Sequence, residues 1–308
     1  MAPFFSVIIP VFNQEHIFTK CLFSIMSQDF KDFEVIITDD GSTDASASKI
    51  SDFIKDDPRF RLISHVRNSS VLCARITGLR AAVGRYIAFI DIDDYVAPGY
   101  FSEIADSLSR NPVDVLRIGF IKEPSGERVP PVGPEDPLGT LLDCRGISAL
   151  FTDIFGRSVI DRTLPFLKEG YCNMAEDFYL KTLAYSFAGS FGCLDRELYH
   201  YVTTDGMSNS TSGLSSERLA KQLGFIGFAT SRMKEFLLAH DPAMAERVDQ
   251  TAFTIMTSTM YQYGGPSISW RDLYSYMSAL DNDQYEPVLN WMFEEFIPLR
   301  AAYIKGKV

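Results

Sequence analysis

The sequence predicts an α/β protein, a mostly parallel central sheet flanked by helices, with a helical C-terminal extension. Three observations carry that expectation. Short apolar, β-branched runs alternate with segments of helical period through the first third of the chain, the pattern of a parallel sheet covered on both faces. Polar clusters follow three of those runs, where open α/β sheets bind ligands. Beyond Ser208-Asn209-Ser210-Thr211-Ser212-Gly213 the character changes, and the last hundred residues read as mainly helical.

Phe4-Phe5-Ser6-Val7-Ile8-Ile9-Pro10 is an apolar run closed by a proline and reads as a buried strand. Residues 14–28 place Ile17, Cys21, Ile25 and Met26 near helical spacing. Phe33-Glu34-Val35-Ile36-Ile37-Thr38 is a second strand, running into the turn Asp39-Asp40-Gly41-Ser42-Thr43-Asp44, whose last aspartate is placed to cap the next helix. Arg61-Leu62-Ile63-Ser64 is a third strand, and a helix over residues 71–82 stops before Gly84. Tyr86-Ile87-Ala88-Phe89-Ile90 is a fourth, ending in Asp91-Ile92-Asp93-Asp94. A helix over 98–110 and a strand over 114–120 follow. Residues 123–139 hold five prolines (Pro124, Pro130, Pro131, Pro134, Pro137) and read as a mobile surface loop. Helical and strand signals mix from 147 to 201. Leu219, Leu223, Ile226, Met233 and Leu237 line one face of a helix over 215–240, Asp241-Pro242 breaks it, and a second helix covers 243–262 up to Gly264-Gly265-Pro266. Ser269-x-x-Asp272 resembles a further helix start.

Composition narrows the function classes. The 308 residues are 46% hydrophobic and 22% charged, enough for a core that shields a site from water. The formal net charge is -11 with no long basic run, which argues against nucleic acid as a partner and against a purely electrostatic membrane anchor. Cys21, Cys73, Cys144, Cys172 and Cys193 are odd in number and scattered, so neither a zinc site nor a disulfide framework is expected and a reducing cytoplasm is the natural setting. No basic region announces a signal peptide, and no apolar stretch reaches the roughly 18 residues of a membrane span. His16, His65, His200 and His240 are dispersed, with His200 assigned to packing. P-loop, dinucleotide-binding and nucleophile-elbow motifs are absent.

The chemistry concentrates at the strand ends: Phe12-Asn13, Asp39-Asp40 and Asp91 to Asp94 are expected to converge. Three carboxylates directly after a core strand repel one another unless a cation sits among them. Magnesium and manganese take one or two carboxylates and complete their shell with water and phosphate oxygens. A metal-bound diphosphate is therefore favoured over a helix cap or polar loop exit. Asp39-Asp40 is either ordinary turn punctuation or a carboxylate that accepts hydrogen bonds from a base or ribose. Arg75, on a helix, is either a solvated residue or one that reaches a phosphate or the aspartates. Glu176-Asp177 opens a helical run, either to complement the helix dipole or to supply a general base; spacing does not choose.

Taken in order, Ser6-Val7-Ile8-Ile9-Pro10-Val11-Phe12-Asn13, Asp39-Asp40-Gly41-Ser42-Thr43-Asp44 and Gly84-Arg85-Tyr86-Ile87-Ala88-Phe89-Ile90-Asp91-Ile92-Asp93-Asp94 resemble the family 2 glycosyltransferases of GT-A fold. The resemblance covers residues 4–210 and is densest up to residue 100. It implies a GT-A domain over 1–210, with a nucleotide-binding half (1–97) and an acceptor half (98–210), and a helical extension over 211–308. It also implies roles. Pro10, Phe12 and Asn13 would line the base, Phe12 replacing the usual tyrosine. Asp40 would contact the base with Asp39 beside it, and Arg75 would lie near the nucleotide. Asp91 and Asp93 would hold Mn2+ or Mg2+ and the diphosphate, with Ile92 between them on the donor side, and Asp177 would be the general base. The sequence departs from the family where Val202 replaces a common basic residue.

The implied activity is inverting transfer from a nucleoside-diphosphate sugar, a UDP-sugar first among them, to a saccharide or lipid-linked saccharide in polysaccharide or glycolipid assembly. A sugar nucleotidyltransferase would need a glycine-rich basic loop that Val11-Phe12-Asn13-Gln14-Glu15 does not supply. A non-catalytic nucleotide-sugar binder would not need Asp177. For the helical extension, packing on the main domain is the expectation; a cover over the acceptor site, a homodimer face and a peripheral contact with the inner membrane surface are the alternatives.

Overall fold

A computed structural model describes residues 2–133, 135–203 and 216–263 of the chain. It divides into two compact units. The first comprises residues 1–138, 147–171 and 180–210; the second comprises 139–146, 172–179 and the residues from 211 onward.

Chain order gives β1 (Phe5–Val11), α1 (Phe18–Met26), β2 (Phe33–Asp39), α2 (Ser46–Ile54), β3 (Phe60–Ser64), α3 (Val71–Ala81), β4 (Tyr86–Phe89), β5 (Tyr95–Val96), α4 (Tyr100–Arg110), β6 (Val115–Glu123), β7 (Glu127–Val129), α5 (Pro137–Leu142), β8 (Asp153–Gly156), α6 (Arg157–Thr163), α7 (Glu176–Phe187) and β9 (Phe191–Val202). The sheet runs β3-β2-β1-β4-β8-β6-β9-β5, with β7 beside β6. The strands read from the first third of the sequence form its parallel part, β1 pairing with β2 and β4, and β2 with β3. Beyond β4 the sheet is mixed. The four-residue β8 lies antiparallel between β4 and β6, β6 and β9 are parallel, and β5 is antiparallel to β9.

β1, β2 and β4 are buried along almost their whole length because both faces are covered, while the edge strand β3 is partly exposed. On one face Phe101 of α4 stacks on Phe33 of β2, 4.5 Å between centroids, and tilts against Phe5 of β1 at 5.3 Å, with Ile104 and Leu108 buried in the same cluster. Each fully buried aliphatic side chain there stabilises by about 1.5–3 kcal/mol relative to exposure. Gly84 explains why the chain turns where it does between α3 and β4. Its amide donates to Ser6 Oγ at 2.8 Å, and a Cβ there would sit 2.5 Å from the Ser6 backbone nitrogen.

Only part of the proline-rich stretch is the irregular loop expected of residues 123–139, namely 130–133 and 135–136 among the described residues. β6 continues to Glu123, β7 returns beside it in the register Phe120↔Val129, and Pro137 is the first residue of α5. Four of the five prolines are described, and they fall in the hairpin turn, just past β7, or at a helix start, where a missing N–H costs no hydrogen bond.

In the second unit α8 (Ser216–His240), α9 (Pro242–Ala245) and α10 (Val248–Tyr263) follow one another. Leu219, Leu223, Ile226, Met233 and Leu237 are each fully buried, so the apolar face read from the sequence is a packed seam. The break at Asp241-Pro242 is a helix cap: the Asp241 side chain accepts from Met244 N, and Pro242 occupies the first turn of α9. Arg247 donates to Gly139 O at 3.0 Å and Thr251 Oγ1 bonds Leu142 O, which tie residues 139–146 to α10. Gly264-Gly265-Pro266 and the Ser269-x-x-Asp272 helix start lie outside the described residues. Among the described residues no helix is long and apolar enough to cross a membrane, and all five cysteines are free thiols.

Candidate active site

Register brings the strand ends together at one edge of the sheet. Val11 pairs with Asp39, Asp39 with Ser64, and Ile8 with Phe89. The pairing extends past the strands: Asp40 N donates to Val11 O at 2.8 Å, His65 N to Asp39 O at 2.8 Å, and Ile90 N to Ile8 O at 3.1 Å. The segments after β1, β2, β3 and β4 therefore share the carboxyl edge, and the three polar clusters meet there as expected.

Asn13 stitches the first two clusters. Its amide donates to Ser42 Oγ at 2.9 Å, and its Oδ1 accepts from Thr43 N at 2.8 Å, with its backbone at φ 54°. Pro10 and Phe12 are half-buried beside it. Gly41 (φ 69°) lets the turn close on the next loop, since a Cβ would lie 2.5 Å from the Arg67 carbonyl carbon. Asp44 caps indirectly, its Oδ1 accepting from Ser46 N at 2.9 Å. Asp39 Oδ1 accepts from Ser42 N at 3.1 Å.

Asp40 is buried and fully engaged. Its Oδ1 accepts from Ser69 N at 2.9 Å and meets His65 Nδ1 at 2.8 Å, while Oδ2 accepts from Ser70 N at 2.8 Å. His65 Nε2 lies 2.9 Å from Thr77 Oγ1. The carboxylate thus shapes the loop from β3 to α3. Sequence reading set His65 aside as dispersed, and no local spacing marks a partner twenty-five residues from its aspartate.

Arg75 is not a solvated residue. It is 4% exposed, and its guanidinium meets Asp91 Oδ1 at 3.0 Å. The acidic turn divides its residues sharply. Asp94 N donates to Asp91 O at 3.1 Å, closing the turn. Ile92 is buried in the core cluster, whereas Asp91 and Asp93 are partly exposed. Asp94 is 1% exposed, with Oδ2 accepting from the Tyr199 hydroxyl at 2.6 Å and Oδ1 from Val202 N at 2.7 Å. Burial, then the charge of Asp91, push the Asp94 carboxyl up to about 8, against the two hydrogen bonds that lower it. Tyr199 lies in the stretch of the sequence where helical and strand signals mix, and no local signal marks it as a partner of the acidic turn.

Does this turn fit a divalent cation? Among the described residues no group of three or more His, Cys, Asp or Glu side chains is disposed to chelate a metal. A protein-built cage is therefore not the fit. Mg2+ or Mn2+, satisfied by one or two carboxylates plus phosphate and water, does fit, because Asp91 and Asp93 both stay partly exposed at the turn. Asp91 and Asp93 are the residues that would hold it. Asp177 falls in the second unit, partly buried in the first turn of α7 beside the 8%-exposed Glu176.

A parallel half followed by a mixed half, with an acidic turn leaving β4, is the arrangement of the GT-A class of glycosyltransferases. Residues 6–160 match Glycosyl transferase family 2, half of the chain, and the chain belongs to that family. It is 32% identical over 213 residues to the glycosyltransferase EpsJ of Bacillus subtilis strain 168, spanning 65% of this chain and 61% of EpsJ, less than two thirds of the relative's length. Among solved structures it superposes on S. aureus TarS 1-349 in complex with UDP-GlcNAc with a TM-score of 0.70 at 21% identity, covering 100% of this chain and 93% of that one. The mannosyltransferase PcManGT of Pyrobaculum calidifontis, in complex with GDP-Man and Mn2+, gives 0.54 at 15% identity, over 95% and 84% of the two chains. At those identities the likeness is one of fold.

Proposed function

We propose that the chain transfers a sugar from a nucleoside-diphosphate donor, a UDP-sugar, to a hydroxyl of a saccharide or lipid-linked saccharide, with inversion at the anomeric carbon. The observation that carries this reading is the acidic turn. Asp94 is locked inward while Asp91 and Asp93 remain partly exposed at the edge where Asn13 and Asp39 also lie. The UDP-GlcNAc bound by TarS supports the choice of a UDP-sugar, and the GDP-Man and Mn2+ bound by PcManGT support a nucleoside-diphosphate sugar and the cation without favouring UDP.

Asp91 and Asp93 would hold the cation, which when bound offsets negative charge on the diphosphate. Pro10, Phe12 and Asn13 would flank the base, with Asp39 available to the ribose or base. Asp40 would act through the β3–α3 loop that it organises, and Arg75 would set the orientation of Asp91. The Asp177 carboxylate would take the proton from the acceptor hydroxyl. The hydroxyl oxygen bonds to the anomeric carbon as its bond to the phosphate oxygen breaks, the electron pair leaving with the nucleoside diphosphate.

Purified protein is expected to gain thermal stability from UDP-GlcNAc with Mn2+ and to release UDP from it, since ligand binding to the native state raises apparent stability. Asp93→Ala should lose both. Asp177→Asn should keep the stabilisation and lose turnover by roughly 10²–10⁴-fold. Full activity of Asp93→Ala overturns the cation assignment, and full activity of Asp177→Asn overturns the base.

A further inference from the structure

We infer that Tyr199 is the positioning residue of the acidic turn, its hydroxyl fixing Asp91 and Asp94 so that Asp91 and Asp93 are presented to the donor. This role rests on the donor-site reading above.

The β4 ladder to β1 ends with Ile90 N donating to Ile8 O. The next amide, that of Asp91, donates instead to the Tyr199 hydroxyl at 3.1 Å. The same hydroxyl donates to Asp94 Oδ2 at 2.6 Å. One oxygen therefore bridges the first residue of the turn and the last, using both its acceptor and its donor capacity. Val202 N fills the other Asp94 oxygen at 2.7 Å. Immediately after the turn, β5 pairs with β9 through Tyr95↔His200 and Val96↔Tyr199. The turn is thus held by β1 on entry and by β9 on exit, with the phenol inside it.

The phenol itself has little freedom. Tyr199 is fully buried, and its ring stacks on Phe151 at 4.2 Å with 2° between planes. A rigid aromatic on a sheet strand is a more exact support than a loop residue. Without the hydroxyl, the Asp91 amide loses its acceptor and Asp94 loses one of its two donors in a site where unpaired polar atoms are costly. Relaxation of either residue changes the direction of Asp91 and Asp93.

Three proteins comprising all 308 residues test this first: wild type, Tyr199→Phe and Phe151→Leu. Titration calorimetry would measure UDP binding in saturating Mn2+ and the Mn2+ concentration for half-maximal UDP binding, alongside thermal melts. Tyr199→Phe keeps the stacked ring and is expected to weaken UDP binding about tenfold and to raise the Mn2+ requirement. Phe151→Leu keeps the hydroxyl, and is expected to lower the melting temperature at least as much while UDP affinity stays within about twofold. Asp94→Asn provides a second route: the double variant with Tyr199→Phe should be no weaker than the worse single one, because both act on one bridge. If wild type binds UDP with Mn2+ and Tyr199→Phe binds equally well, the role of Tyr199 is overturned and the donor site stands. If both core variants weaken binding in step with their melting temperatures, Tyr199 is merely structural. If wild type shows no Mn2+-dependent UDP binding, the donor-site reading falls, and the role of Tyr199 with it.

Discussion

Ser70 shows how much is invested in the loop beside the donor edge. It sits at φ 101° and ψ 158°, a region that side-chain-bearing residues avoid at a cost of about 1–3 kcal/mol. Four bonds hold it: Ser70 N donates to Asp40 Oδ2, Ser70 Oγ donates to Gly170 O at 3.0 Å, Ser70 Oγ accepts from Cys73 N at 3.5 Å, and Ser70 O accepts from Ala74 N at 3.0 Å. Ser70→Ala keeps the strain and loses both hydroxyl bonds, whereas Ser70→Gly loses the bonds and relieves the strain. The glycine variant is therefore expected to be the more stable of the two by about 1 kcal/mol or more in urea unfolding. Equal stability would mean the backbone at residue 70 carries no strain. At this scale the sequence was legible where chemistry is local. The carboxylates after β4 stood out because three of them abut a buried strand, whereas those after β2 read equally well as turn punctuation. Their partners did not, since His65, Tyr199 and the Val202 amide reach Asp40 and Asp94 only through the register of the sheet.

Elements were legible where period and punctuation agreed. The helix read over 71–82 is α3, the one read over 215–240 is α8, and the strands read in the first third are β1 to β4. β7, β8 and β5 escaped because two to four residues carry no period, and β9 because exposed polar positions interrupt its apolar pattern. A further element property was hidden in α7. Asp153 on β8 is wholly buried between Lys181 Nζ at 2.9 Å and Arg117 Nε at 2.8 Å, with the Tyr185 hydroxyl bonded to it as well. Lys181 also donates to Thr152 Oγ1 at 3.0 Å. The network fastens the later turns of α7 to β8 and β6. Two cations share one carboxylate, so the variants should rank by what they strand. Asp153→Asn leaves both cations without counter-charge and is expected to cost about 3–5 kcal/mol, while Lys181→Met leaves Arg117 on Asp153 and should cost less. A reversed order in urea unfolding would show that Lys181, not Asp153, is the centre of the network.

At the scale of the molecule, the acidic balance and the buried network together set the response to acid. The chain carries 40 acidic against 29 basic side chains, so lowering the pH first relieves self-repulsion and only later removes native ion pairs. Burial alone would raise the Asp153 carboxyl; the charges of Lys181 and Arg117 outweigh it and hold the group at about 2. Its folded value thus lies below the ordinary carboxylate value of about 3.9, and the unfolded chain binds its proton first as pH falls. The stability this group contributes is complete above about pH 4 and is lost as pH falls through about 2, worth roughly 2–3 kcal/mol across that window. Wild-type stability measured by urea unfolding should therefore fall between pH 4 and 2 with a slope that includes one proton from this site. Asp153→Asn, less stable throughout, should show a slope shallower by up to one proton over the same interval. Equal slopes would place the acid response in other carboxylates, and would mean that Asp153 enters the folded state no more acidic than it is in the unfolded chain.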